Sequence, residues 1–534
     1  MKLWQVLGAA AAVALLCGDM PAGDVPLRPD VQADVLAAIA AGQTTYTLPA
    51  GEVDLTQPII IPPGPRGFTL SGAPGGTTLR TPAHMDRQAI RIGNRPELSD
   101  NWWIVGPNNV AIDAVADGQN WVRSAQQIPP GYAVIWDETK IVCAKGPNVS
   151  MNHAELVKVL TYDAATGKAT LDTKVGRSYS SPAWLCPYEG ATCANLKIQG
   201  ISFDGSTADG SPTSEGLIMV GIADGVQLVD LHAKNFRSDA IATNTARNVQ
   251  ITGCSVQGAS EGGAGAGYGF SIYRSRNVLL QGDSAVGCRH GILLHSGTMD
   301  VDVKSCQTPN GFDLHGYDER RVNITDCSGD GLDIGNDAWL GGAKDVHLTG
   351  CTITGDVGFH AGTGIVCTDC KFGSIGLYSV EAGTTPTVGV PASEEIGDLT
   401  LIGCTMTTGG NGLNDQGAKR YGKVTLRDCK FRSKSTCLDL SFSGAVGSLA
   451  CTGCTFYTQS VDHVVQFHDM PGGTVTLDKC TLIGRGALGI WVKDNVRADV
   501  SIVGCRYIGG PNFIVDDSKR VRASGNSARP ASAK

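Results

Sequence analysis

Four short blocks constrain this chain more than anything else in it. They read Gly269-Phe-Ser-Ile-Tyr273, Gly291-Ile-Leu-Leu-His295, Gly311-Phe-Asp-Leu-His315 and Gly331-Leu-Asp-Ile-Gly335, and they recur every 20 to 22 residues. Each alternates apolar with other residues, the period-two pattern of a strand with one face buried. Stacked as copies of one repeat, they place Phe270, Ile292, Phe312 and Leu332 in one inward column and Ile272, Leu294, Leu314 and Ile334 in the next. The outward files are Ser271, Leu293, Asp313, Asp333 and Tyr273, His295, His315, Gly335. Neighbouring strands lie about 4.8 Å apart, so two carboxylates and two imidazoles should crowd one exposed patch. Continuing the register puts His360 on the Asp333 file, and Tyr317 and Asp337 on a third. Tyr268, Arg289 and His290 lie immediately beside these strands.

The cysteines repeat in the same frame. Ten of the 18 follow an apolar residue by three positions: Cys254, Cys306, Cys327, Cys351, Cys370, Cys404, Cys429, Cys454, Cys480 and Cys505. One thiol per repeat at a fixed place reads as a buried ladder of small hydrophobic groups. Cys367-x-x-Cys370 and Cys451-x-x-Cys454 would elsewhere suggest zinc or redox chemistry, but both sit in the repeat frame. Cys186 and Cys193, outside the ladder, are the disulfide candidates.

A chain of 534 residues exceeds what one globular core supports, whereas a repeat architecture grows along one axis. Its 70 glycines and 18% charged residues suit many short strands joined by tight turns. A net charge of −8 with no basic stripe argues against nucleic acid as a partner. Residues 1–22 have the make-up of a signal peptide: Lys2, an apolar Leu7–Leu16 run, then Met20-Pro-Ala22. Cys17 raises lipidation as an alternative, which the bulky Leu16 opposes. No stretch is long enough for a membrane span. Residues 23–103 read as an N-terminal cap and first rungs, with an Ala-rich helix over 30–41 ending at Gly42. Residues 104–193 break the rhythm and read as an inserted small β subdomain, with a hairpin turn at Asp163–Lys168. Residues 194–525 are the repeats, and 526–534 a disordered tail. A period of 20 to 30 residues that is nearly all strand and turn marks a β-solenoid.

The helix followed by Thr47-Leu-Pro-Ala-Gly51, together with the V-x-L-x-x-C repeats, resembles the pectate-lyase-like right-handed parallel β-helix proteins over most of residues 25–525. That resemblance implies an all-β, right-handed parallel β-helix with an N-terminal helical cap and a small inserted β subdomain. Arg289-His-Gly291 and Gly311-Phe-Asp-Leu-His315 are similar to the Arg-His-Gly and Gly-Phe-Asp-Pro-His motifs of mannuronan C5-epimerases, in reversed order and with Leu314 in place of Pro. The paired aspartates plus Gly-His-Gly of polygalacturonases and the Arg-x-Pro-x-x-Arg of pectate lyases are absent from the sequence.

Breaking or inverting a uronate at C5 needs its carboxylate neutralised, a base for the C5 proton, and a proton donor. Arg289 suits the first role, because guanidinium meets carboxylate bidentately. His295 or His315 suits the second, with imidazole titrating near neutrality. Tyr273 or His290 suits the third, while Asp313 and Asp333 would orient imidazoles or bind Ca2+. Tyr268, Tyr273, Tyr317, Asp333, Asp337 and His360 are then the candidate substrate contacts. The expectation is a secreted, periplasmic or surface enzyme acting on an acidic polysaccharide by β-elimination or C5 epimerisation. The rival readings are a glycoside hydrolase using Asp313 and Asp333, and a non-catalytic glycan-binding or tailspike-like module.

Overall fold

The computed structural model describes residues 31–530, except 65, 82–87, 94–108, 143–149, 189–192, 206–215, 260–266, 316–317, 336–341, 379–394, 417–419, 442–444 and 486–487. The signal peptide, Cys17, Tyr317 and Asp337 therefore lie outside the described residues. The chain is a parallel β-solenoid of about 16 turns. Each central turn carries three strands, for example Arg276–Gln281, Ser284–Val286 and His290–His295. Every one pairs in parallel with its counterpart a turn later, at Met299–Lys304, Gln307–Thr308 and Phe312–Leu314. Among the described residues no helix is long and apolar enough to cross a membrane.

A single backbone device bends each turn. Gly253, Ser305, Asp326, Gly350, Asp369, Gly403, Asp428, Gly453, Lys479 and Gly504 all adopt left-handed φ values of 51° to 66°. Each is followed directly by a ladder cysteine. The kink turns the next side chain inward at a corner, where a small group fits. Every ladder thiol is buried and unbridged. Their sulfurs meet carbonyls of the preceding turn, such as Cys351 on Ile324 O at 3.3 Å and Cys429 on Leu401 O at 3.4 Å. The ladder thus satisfies corner carbonyls as well as filling space.

The open N-terminal end is closed by the helix Val31–Ala40, which buries Val31, Val35 and Ala38. Gln32 completes the cap, with its Oε1 accepting Ile60 N–H at 2.6 Å. Residues Val110–Pro187 form a separate six-stranded antiparallel sheet with its own core, including the Asp163–Lys168 hairpin.

Three sequence expectations are corrected. Cys186 and Cys193 are both free, because Cys186 packs in the small sheet while Cys193 lies in the solenoid core against Pro62 O. The tail continues as a strand, Ser527–Pro530, parallel to Arg506–Gly509, because the last turn still offers an unpaired edge. A charged turn such as Asp318-Glu319-Arg320 reads from sequence as solvated surface, yet Asp318 and Glu319 are buried. Asp318 docks the small sheet: its carboxylate meets Arg320 at 2.8 Å, Lys344 at 2.6 Å, and Arg177 and His153 at 3.3 Å each. Burial alone would raise this carboxyl, but the His153 hydrogen bond and the Arg177 charge hold it far below the usual range.

Candidate active site

The register places the expected files side by side. Ser271 pairs with Leu293, Leu293 with Asp313, and Asp313 with Asp333, while Tyr273 pairs with His295. Tyr268 and His290 are register partners three residues before Ser271 and Leu293. His360 is a correction. Asp333 pairs with Gly358 rather than His360, and His360 N–H bonds Ile334 O, which puts its side chain on the file of His295 and His315. The imidazole still leans back to Asp333, Nε2 to Oδ1 3.5 Å. Gly358 permits this, since a Cβ there would stand 2.5 Å from Asp333 Oδ1 and 2.9 Å from His360 Nε2.

The patch is also more enclosed than outward alternation implies. Ser271, Leu293 and Asp313 are buried at 0%, 1% and 0%, and His295 at 9%. Large rings on neighbouring files lean over the shorter side chains. Tyr268 and Tyr273 pack against Leu293, and two imidazoles flank Asp313. His290, His315, Asp333 and His360 keep partial exposure and form the accessible rim.

At the centre, Asp313 Oδ2 lies 3.4 Å from His290 Nε2 and 3.1 Å from His315 Nε2. One carboxylate thus bridges two imidazoles. Tyr268 stacks on His290 with ring centroids 5.8 Å apart, and His295 meets His315 edge-on at 4.8 Å. Arg289 donates to Tyr268 Oη at 3.1 Å and lies over that ring. Behind this row, Tyr273 and His295 rings are 5.1 Å apart, and His295 Nδ1 contacts Ser296 Oγ. His295 therefore backs His315 instead of lining the rim.

Burial dominates the electrostatics. It lowers His290 below the ordinary imidazole range against the opposing Asp313 charge, and lowers His295 much further, helped by His315 and Arg274. Both rings are accordingly neutral at pH 7. Burial, reinforced by the charge of Asp239, holds Tyr273 as a phenol well above its usual range.

Asp239 is a member that sequence reading missed. It pairs in register with Tyr268, is 5% exposed, accepts a hydrogen bond from Ser271 Oγ at 2.8 Å, and is pushed up to about 7 by burial. The signal was present in Asp239-Ala-Ile-Ala-Thr-Asn244, a copy of the repeat without its leading Gly. Tyr378, stacked on His360 at 4.8 Å, extends the rim by one turn. A Ca2+ site at Asp313 does not fit. Calcium takes six to eight oxygens, whereas imidazole nitrogens flank this carboxylate.

A cavity of about 520 Å3 lies elsewhere, lined by Asp172, Arg247, Arg276 and Asp300 among others. Its arginines already bind carboxylates: Arg247 to Asp172 and Asp224, Arg276 to Glu155 and Asp300. It therefore belongs to the docking of the small sheet.

No protein-family model matches the chain, and no curated protein matches it. Solved structures do. The tailspike protein gp49 from Pseudomonas phage LKA1 aligns with TM-score 0.51 and 14% identity, over 88% of this chain and 77% of that one. The gp54 tailspike of Acinetobacter baumannii bacteriophage AP22, solved with A. baumannii capsular saccharide, aligns with TM-score 0.50 and 13% identity, over 93% and 76%. The mannuronan C-5 epimerase AlgE6 A-module of Azotobacter vinelandii covers 94% of each chain at 11% identity, but its TM-score of 0.36 supports no argument. At such identities the likeness is one of fold: the chain is a parallel β-helix protein of the architecture that tailspikes share.

Proposed function

We propose that this chain is an exported enzyme that abstracts the C5 proton of a uronate residue in an acidic polysaccharide, leading to β-elimination or C5 epimerisation. The observation that carries the reading is the carboxylate of Asp313 bridging His290 and His315 on an accessible rim. Both reactions need one base and one acid within a sugar's width, and a shared carboxylate holds two imidazoles for those roles. His290, kept neutral by burial, takes the C5 proton. Arg289, adjacent in the chain, meets the sugar carboxylate as it gains enolate character. His315, held by the Asp313 carboxylate, serves as the acid, giving a proton to the departing glycosidic oxygen in elimination, or to C5 on the opposite face in epimerisation. Tyr273, His295 and Tyr268 hold these rings in place. Asp333, His360 and Tyr378 contact the neighbouring sugar. The tailspike complexed with capsular saccharide supports a glycan ligand for this architecture, though only by analogy of fold.

A hydrolase using Asp313 and Asp333 is the second reading. The two are paired on adjacent turns, one side chain fully buried and the other 43% exposed, an asymmetry that suits an acid beside a nucleophile. A panel of polymannuronate, polyguluronate, polygalacturonate, hyaluronan and neutral polysaccharides separates these readings. Elimination gives ultraviolet-absorbing unsaturated ends, epimerisation exchanges C5 hydrogen with solvent, and hydrolysis gives reducing ends without unsaturation. Reducing ends alone would replace the proposal with the second reading.

A further inference from the structure

The outward files of the candidate site do not end with it. The Asp333 file runs on through Gly358, Gly376 and Asn414 to Asp439, Gln466 and Trp491. At about 4.8 Å per turn, Gln466 lies six turns and about 29 Å from Asp313 along the same face. A second cluster forms there. Asp439 Oδ1 meets His468 Nε2 at 3.2 Å, and Asp469 Oδ2 meets His468 Nδ1 at 2.8 Å. Asn411 also donates to Asp439 Oδ2 at 2.9 Å. Trp491, half-buried, is locked by its Nε1–H donating to Asp517 Oδ2 at 2.9 Å. Its ring carries Lys493 Nζ at 4.9 Å from the centroid.

Gln466 stands between Asp439 and Trp491 in register. Its neighbours Val465 and Phe467 point into the core at 0% exposure, so its own side chain points outward into the cluster. It is 7% exposed, and none of the described residues hydrogen-bonds its amide. The amide atoms themselves reach the surface of the cluster, where a ligand can engage them.

We infer that Gln466, Asp439 and Trp491 form a distal subsite for an uncharged pyranose residue of the same polysaccharide, which rests on the glycan reading of the central site. The indole gives a flat apolar face for a sugar ring, and the amide and carboxylate give paired partners for its hydroxyls. The charge excludes a uronate there. Asp439, Asp469 and Asp517 face one lysine and the carboxylate-bound His468, while burial keeps His463 neutral. An acidic residue at the centre and a neutral one six turns away define a heteropolysaccharide, not a homopolymer of uronate.

The test uses the full chain carrying Asp313→Asn, so that the polymer is not turned over, and follows the indole N–H resonance assigned by Trp491→Phe. Dextran, mannan and galactan oligosaccharides are the neutral probes; oligomannuronate and oligogalacturonate are the acidic ones. The expected result is a saturable shift with at least one neutral probe, no shift with the acidic probes at equal concentration, and an affinity loss of about tenfold or more on Gln466→Ala. A silent indole with all three neutral probes, an equal response to uronates, or full affinity in Gln466→Ala overturns the inference. Failure of the central reading shows separately, as the absence of uronate products with unchanged protein, and leaves the indole response intact.

Discussion

The central and distal clusters stand on the same two files of the same sheet, and they differ in enclosure. At the centre, Asp313 is fully buried between two imidazoles, and burial strips His290 and His295 of their charge. At the distal end, Asp439 and His468 are 28% and 20% exposed in a hydrogen-bonded pair open to solvent. The difference is one of dielectric. Water withdrawn from a polar row turns proton affinities into something the fold sets, which is what proton transfer needs. A row left wet suits recognition of hydroxyl groups.

The largest expected effect tests the central half of that contrast. Asp313→Asn or His290→Ala should lower turnover by about 10²–10⁴-fold, with the circular dichroism spectrum and melting temperature little changed. Full activity in both would mean that the chemistry lies elsewhere on the helix. Next in size, Leu314→Ala, on the inward side of the strand that carries Asp313, should cost about 2–5 kcal/mol of stability in denaturant unfolding through the cavity it leaves. Loss of activity without loss of stability would reverse the assignment of the two faces.

Enclosure also makes the centre sensitive to acid. His290 and His295 have folded-state pKa values below the unfolded one, so below about pH 6.5 the unfolded chain binds more protons. Stability should therefore be complete above that pH and fall as pH drops, by at most about 1.4 kcal/mol per unit for each ring. His295→Gln should flatten the acid limb of a melting-temperature profile more than His463→Gln does, because His463 is less enclosed. Asp283 gives the opposite slope. It occupies the cysteine-ladder corner between Cys254 and Cys306, is 1% exposed, and is pushed up to about 8 by burial. Its raised folded pKa means that stability falls as pH rises from about 4 to about 8 and is level above, and Asp283→Cys should remove that decline. The smallest effect is expected from Gly358→Ala. The added Cβ would displace His360 from Asp333 and raise KM a few-fold with kcat nearly constant.

Much of the solenoid was legible because its inner face repeats. Apolar columns and a cysteine after each left-handed corner leave a period in the sequence that no other fold class explains. The same alternation put Asp313 and His315 on one outward face, with His290 just before the neighbouring strand, since register in a stacked strand follows from counting. His360 was misplaced because the turn between Asp333 and Gly358 is longer than the preceding ones, and counting fails across a change of period. Asp239 escapes a sequence reading for want of a leading Gly, and Asp318 reads as a solvated turn because nothing local marks a contact with Arg177, 141 residues away.

The sequence by itself determined the strand period, the inward and outward faces, and the ladder that bends each turn, because these depend on residues adjacent in the chain or one repeat apart. Only the tertiary structure decided which outward groups lose their water. Desolvation depends on what leans over a side chain from another turn, and that sets Asp313 and His295 in a dry row while leaving Asp439 and His468 wet.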